Sequence, residues 1–344
     1  MVGSVKGLLR GPGGDRIHPM PPTPIGLFTT FTGPSSRDGI VAVVDAVAAG
    51  RAGDVAVAFV AVNRAAGESA DTDASVALLA SRHPGLSIVR TSAVRHNPAA
   101  RKAARAAEAA GDGAPLAAWR DGYYAAHRDA WPATAIDFLL GDMWIWGPRQ
   151  CAERRGVNLH PALPWGPLGK MWFDVVWDLV AAGPGTPDVP AESGAMLHRV
   201  TVDVDEGPVV SYCRYGIATP DLAPLWAALP GGGDGGGDVA GGSRAAAERA
   251  AYIAGERAKK RETADPLFWA IRRAGVVREV PLMLETMRAI AAGRLRLVGA
   301  AGGGGVLDGA GGAVAGGLDV TRDVDSAVAG GSEAGEAAAP GKPS

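Results

Sequence analysis

Apolar runs and helical periodicities alternate along most of the chain. Ile25–Phe31 (IGLFTTF) reads as a short strand, followed by a helical pattern over Ile40–Ala49. Val55–Val62 (VAVAFVAV) is a continuous apolar run, as expected of a strand covered on both faces. Further strands are expected at Leu86–Val89, Ala135–Gly141, Val157–His160, Met196–Val204 and Val209–Tyr215. Helical patterns occupy Pro98–Ala110, Ala117–Ala130, Lys170–Ala182, Arg244–Lys260, Pro266–Ala274 and Val280–Ala292. This alternation predicts an α/β fold. The expected form is an open, mainly parallel, twisted sheet of about seven strands with helices on both faces. Ligands in such sheets bind at the carboxyl ends of the strands, so chemistry is sought there.

Composition sets the limits of the ordered part. The chain has 344 residues and 50 glycines, and the glycine is clustered. Residues 231–243 (GGGDGGGDVAGGS) hold eight glycines in thirteen positions, and 301–344 hold 13 Gly and 10 Ala. Neither segment carries enough apolar area to offset the entropy of ordering it. Residues 1–22 are expected to be a flexible leader, without the apolar core of a secretory signal. A catalytic domain is expected over 23–298, with a flexible insertion at 231–243 and a disordered tail over 299–344. Charge is nearly balanced, 34 Lys+Arg against 36 Asp+Glu, which argues against a nucleic-acid partner. No run of 18 apolar residues occurs, so no membrane partner is expected. Two cysteines, Cys151 and Cys213, make no disulfide framework and fit a reducing, cytoplasmic setting.

Four strand ends carry polar or aromatic residues of note. The first runs into Gly33, Ser35, Ser36 and Arg37 ahead of a helix. Backbone N–H groups there, with Ser and Arg donors, suit a phosphate; a plain helix cap by Ser36 or Asp38 is the alternative. The fourth runs into Gly141-Asp142-Met143-Trp144-Ile145-Trp146, either a flat apolar slot for an aromatic ligand or core packing. The fifth ends Asn158-Leu159-His160-Pro161. Strand alternation puts Asn158 and His160 on one face, where they can hold a developing oxyanion or serve the core. The sixth ends Val204-Asp205-Glu206-Gly207-Pro208, placing Asp205 either to orient a histidine or to form a turn.

Taken together, these segments resemble folate-dependent formyltransferases. Asn158-Leu159-His160-Pro161-Ala162-Leu163-Pro164 is similar to the family's N-x-H-P-S-L-L-P signature. Residues 194–200 (GAMLHRV) and 204–210 (VDEGPVV) resemble its G-x-x-x-H-x-V…D-x-G-P-I-I block. Residues 140–148 resemble L-A-G-(F/Y)-M-R-I-L-S-P, Arg120-Asp121 the R-x-x-(F/Y)-D stretch, and Gly293-Arg294-Leu295 the closing G-R-L. Coverage runs from about 25 to 298, and phosphoribosylglycinamide formyltransferases look most alike. Three departures stand out. The first loop is Thr32-Gly33-Pro34-Ser35-Ser36-Arg37-Asp38 in place of S-G-x-G-S-N. The P-G-x-H segment becomes Gly166–Trp172 without a histidine. The carboxylate nearest to Pro281 is Glu279, at an offset unlike the family's.

The resemblance implies a Rossmann-like formyltransferase fold and transfer of a formyl group from 10-formyltetrahydrofolate to a small-molecule amine. Phosphoribosylglycinamide, in purine biosynthesis, is the default acceptor. It implies Asn158, His160 and Asp205 as catalytic residues, with His198 supporting them from behind. Gly141, Met143, Trp144, Ile145, Trp146, Val202, Asp203 and Val204 would contact the folate. Gly33, Ser36, Arg37 and Arg120 would contact the substrate phosphate. No metal is expected. His18, His83, His96 and His127 are read as surface residues. Formylation of another amine such as an amino sugar nucleotide, hydrolysis of formyltetrahydrofolate, and a non-catalytic folate- or nucleotide-binding homologue are the alternatives.

Overall fold

The structure, a computed structural model, describes residues 21–31, 33–141, 146–183, 191–231, 239–299 and 305–332. The first half is a run of β-α units: β1 (Thr23–Thr29), α1 (Pro34–Ala48), β2 (Val55–Val62), α2 (Ala70–Arg82), β3 (Ile88–Arg90), α3 (Pro98–Ala109), α4 (Ala114–His127), β4 (Ile136–Leu140), α5 (Pro148–Glu153) and β5 (Gly156–His160). There follow α6 (Trp172–Ala182), β6 (Glu192–Arg199), β7 (Val209–Gly216), α7 (Ala223–Ala227), α8 (Val239–Ala258) and α9 (Pro266–Ala291). The chain closes with β8 (Leu295–Leu297), β9 (Val306–Asp308), β10 (Leu318–Asp319) and α10 (Thr321–Ser332).

The main sheet has eight strands in the order β10-β7-β6-β5-β4-β1-β2-β3. Strands β1 to β5 are mutually parallel, β6 is antiparallel to both β5 and β7, and β10 joins β7 in parallel. The order reverses between β1 and β4, which opens a crevice at their carboxyl ends. β8 and β9 form a separate two-stranded ladder. The strands predicted from continuous apolar runs are buried on both faces: Ile25, Leu27, Phe59, Val60, Phe138 and Val157 are all 2% exposed or less. Each such side chain contributes about 1.5–3 kcal/mol when removed from water. The sheet is tight at Gly26 of β1. A Cβ there would meet Asp137 Oδ1 at 2.3 Å and the Phe59 ring at 2.7 Å. Asp137 is itself buried and is held by Arg154 at 2.6 Å.

Several expectations change. β6 ends at Arg199 rather than Val204, and residues 200–208 are a loop. The two helices expected after residue 265 are one, α9, with Pro281 inside it. The proline lacks an N–H and ordinarily ends a helix. Here packing overrides it: Leu267, Phe268 and Ile271 enter one apolar cluster, and Leu282, Met283 and Met287 enter the core under the sheet. The Gly/Ala-rich tail also carries more structure than its composition predicts. Val320 and Val324, 2% and 0% exposed, dock α10 and the β10 edge onto the main core. The glycines at 232–238 and the leader up to residue 20 lie outside the described residues, as do 333–344.

Val324→Ala is therefore expected to lower the unfolding free energy by about 2 kcal/mol. Val277→Ala, at a half-exposed position of α9, should change it by less than about 0.5 kcal/mol. Urea midpoints of both variants check this, and an unshifted Val324→Ala midpoint would refute the docking of α10.

Candidate functional site

A cavity of about 360 Å³ opens at the carboxyl ends of β1, β4 and β5, in the size range of small-ligand sites. Pro161 ends the β5 ladder, so Asn158 and His160 stand at its last turns of pleat. The loop from 200 to 208 returns over the cavity and brings in Asp205, whose backbone sits at φ 57°, the left-handed region. A non-glycine residue is held there only when its surroundings over-determine it.

Those surroundings are two imidazoles. Asp205 Oδ2 lies 3.2 Å from His160 Nδ1, and Oδ1 lies 3.2 Å from His198 Nε2. The Asn158 Nδ2 amide donates to Asp205 Oδ1 at 3.5 Å and lies 3.2 Å from His198 Nε2. The Gly169 N–H donates to Oδ2 at 3.1 Å. Asp205, His160 and His198 are 7%, 3% and 3% exposed. Each ring is tied at its far nitrogen to a carbonyl that can only accept: His160 Nε2 to Pro167 O at 2.8 Å, His198 Nδ1 to Arg199 O at 3.0 Å. The far nitrogens therefore carry the N–H in the neutral rings. Either histidine can donate to Asp205 only by taking a second proton.

The electrostatics follow from this packing. Burial pushes the His160 imidazole below its ordinary value; the Asp205 carboxylate and the Pro167 carbonyl oppose that shift but do not cancel it. Burial pulls the Asp205 carboxyl the other way, and the contacts to His198, His160 and the Gly169 N–H outweigh it, leaving the carboxyl below its ordinary range. The resting site thus holds an ionised carboxylate between two rings. The implied role of Asp205 in raising the His160 pKa operates in sign, but burial is the larger effect.

The remaining predicted residues divide. Gly141, Trp146, Val202, Asp203 and Val204 line the cavity, and Trp146 also packs edge-on against Phe28 at 5.3 Å. Asp142, Met143, Trp144 and Ile145 lie outside the described residues. Gly33 and Ser36 line the cavity, and the Ser36 hydroxyl donates to the Gly33 carbonyl at 3.0 Å. Arg37 is not among the lining residues, and its guanidinium pairs with exposed Asp38 at 2.7 Å. Arg120 does line it, from the side of Gly147, and makes no ion pair among the described residues. His198, expected as a support, touches both Asn158 and Asp205 directly.

Sequence reasoning missed the wall opposite in chain order, made by Lys170, Met171, Trp172, Arg261, Trp269 and Arg272 with Glu279. Of these Lys170, Met171, Trp172 and Glu279 fell within departures from the family pattern, and Arg261, Trp269 and Arg272 carried no signal. Of the other histidines, His18 lies outside the described residues, while His83 is half-buried on Asp45 and His96 and His127 are half-buried among aromatics. Burial raises the Cys151 and Cys213 thiols to about 11 and about 12, so both stay protonated and inert. No group of residues able to hold a metal ion occurs among the described residues. No described helix is long and apolar enough to cross a membrane.

No family model matches the chain, and no curated protein matches it. Among solved structures, glycinamide ribonucleotide transformylase 1 from Symbiobacterium toebii aligns over 84% of this chain and 98% of its own, at 18% identity and TM-score 0.48. A formyltetrahydrofolate deformylase from Burkholderia mallei aligns over 82% and 70%, at 15% identity and TM-score 0.45. A sugar N-formyltransferase from a Shewanella species aligns over 72% and 70%, at 13% identity and TM-score 0.33. These neighbours are members of the folate-dependent formyltransferase family that the sequence motifs resemble.

The depressed His160 value has a testable sign. The unfolded chain binds a proton at His160 near pH 6.5, where the native protein does not. Its contribution to stability is full above that pH and is lost as pH falls through the native value. Urea midpoints of the wild type are expected to fall between pH 7 and pH 5 by more than those of His160→Asn. Equal falls would refute the shift.

Proposed function

We propose that the chain transfers a formyl group from 10-formyltetrahydrofolate to an anionic primary amine. The observation that carries this reading is the Asp205 carboxylate shared by His160 and His198 beside the Asn158 amide, on the wall of one cavity. The acceptor nitrogen attacks the formyl carbon, and the carbonyl π pair moves to oxygen. The C–N bond to the acceptor forms before the bond to the folate N10 breaks. N10 leaves with a proton, and the acceptor amine gives one up.

Two kinds of group are needed for that sequence. Neutral amide and imidazole N–H donors stabilise the oxyanion, and Asn158 Nδ2 and His160 Nε2 are the candidates. An ionised carboxylate next to an imidazole accepts the proton of the attacking amine and returns it to N10, and Asp205 with His160 supplies that pair. In the structure the His160 Nε2–H is engaged by the Pro167 carbonyl. Donation to the oxyanion therefore requires the 161–170 loop to give up that bond.

The donor's flat ring suits the apolar lining of Leu139, Leu140, Trp146, Val200, Val202 and Val204 in the same cavity. Phosphoribosylglycinamide is the first acceptor to assay. Hydrolysis needs no acceptor subsite, and it is the reading to which the deformylase alternative reduces.

Asp205→Asn keeps the volume and removes the charge. It is expected to lower turnover by about 10²–10³-fold, with the circular dichroism spectrum unchanged. Release of deformylated folate, followed spectrophotometrically, decides between readings. Product that depends on an added amine supports transfer, product without any amine supports hydrolysis, and near-wild-type turnover in Asp205→Asn rejects the assignment.

A further inference from the structure

The expected anion site at the start of α1 offers no cation to the cavity. Of the described residues of that turn, Gly33 and Ser36 line it and Arg37 does not. Cationic side chains line the cavity elsewhere. Lys170, Arg261 and Arg272 come from the start of α6, the turn before α9 and α9 itself, together with Trp172, Trp269 and Glu279. Three of the four charged groups among these six are cationic.

This part of the wall stands on a firm base. Trp172 packs on Phe173 and Phe268 with ring centroids 5.7 and 5.8 Å apart, and Trp269 on Phe268 at 5.3 Å. Phe268 is fully buried in the cluster formed by α6, α7, α8 and α9. The two indoles meet at 6.1 Å and 50°, a corner rather than a closed stack. Each is half-buried, and the Trp269 indole N–H is spent on the Thr263 carbonyl at 2.7 Å, so what it offers a ligand is its ring face. Arg272 lies 4.9 Å over the Trp172 ring and is paired with Glu279 at 2.5 Å. Lys170 is paired with Asp178 at 2.5 Å and is exposed at the mouth. Indole faces take sugar or planar rings, and guanidinium and ammonium groups take phosphate or carboxylate.

We propose that the acceptor's anionic group binds at Lys170, Arg261 and Arg272, with its ring on the Trp172–Trp269 corner, instead of at the Gly33–Arg37 turn. The inference rests on the proposed formyl transfer and narrows it to ring-bearing amines with a distal phosphate or carboxylate. Arg261 and Lys170 then set specificity through the acceptor's KM without touching the acyl centre. Arg120, beside Gly147 and Trp146, stays with the donor's side of the cavity.

The test uses the full-length protein with three matched acceptors: glucosamine, glucosamine 6-phosphate and the corresponding 6-uronate. The two anionic amines are expected to show lower KM than glucosamine. Arg261→Gln and Lys170→Gln should each raise KM for them by about tenfold, leaving kcat and the glucosamine KM nearly unchanged. Arg261→Lys should restore most of the loss, and Arg37→Gln should change nothing. A KM effect with the phosphate alone assigns the group as phosphate, and an equal effect with both assigns a general anion site. Arg261 is exposed on a short turn, so its variants test the site even where Arg272→Gln fails to fold. If none of the three is formylated, quenching of tryptophan fluorescence reads the same subsite. Quenching by the anionic sugars that Arg261→Gln abolishes supports the inference while the transfer reading fails for these amines. Equal KM or equal quenching for charged and uncharged sugars, or loss of discrimination in Arg37→Gln alone, overturns it.

Discussion

The Asp205 carboxylate is the constraint on which the site depends. It is buried, ionised, and reached by groups from three separate stretches of chain: His160 and Asn158 on β5, His198 on β6, and Gly169 from the loop that follows β5. A buried carboxylate without partners costs several kcal/mol. The protein offsets that cost by closing both loops onto one atom pair, and those same contacts hold Asp205 in a left-handed backbone conformation that is itself unfavourable. Each histidine's far nitrogen is bound to a carbonyl, which fixes the orientation of both rings against the carboxylate.

Two of the three apolar clusters support the walls of the site. The sheet, α1, the second half of α9 and α10 form the core that fixes β1, β4 and β5. The cluster of α6, α7, α8 and the first half of α9 forms a second body that carries the tryptophan wall. Helix α9 belongs to both. Pro281 falls near the start of its second half, and the unbroken helix ties the tryptophan wall to the core beneath the strands that carry Asn158 and His160.

Strands buried on both faces were legible, because their signal is local and continuous: Val55–Val62 has the bounds read from its apolar run. The end of β6 was not, since Val200, Val202 and Val204 look like strand residues yet stand in a loop with Val202 half exposed. Helix α2 escaped notice because its sequence, ADTDASVALLASR, buries little beyond Thr72, Ser75 and Leu79 and shows a weak apolar stripe. In the tail, two valines placed against an existing core outweigh a glycine-rich composition. The motifs singled out Asn158, His160, Asp205 and His198, and the structure brings the other three side chains to the Asp205 carboxylate, which stands in the loop after β6, whose last residue is Arg199, rather than at the strand end they suggested. The pairing of Arg37 with its neighbour Asp38 was not read from the sequence, and Trp269 and Arg272 gave no signal because helix-to-helix packing alone turns them toward the cavity.

The pairing of β10 with β7 bears on how the chain is made. β7 is flanked on one side by β6 and on the other only by Leu318 and Asp319, more than a hundred residues later. That margin stays open until Leu318 and Asp319 have been made and have docked. A row of unsatisfied amides and carbonyls on a hydrophobic ribbon is a template for pairing between nascent chains. A two-residue strand thus seals the growing protein against its own copies.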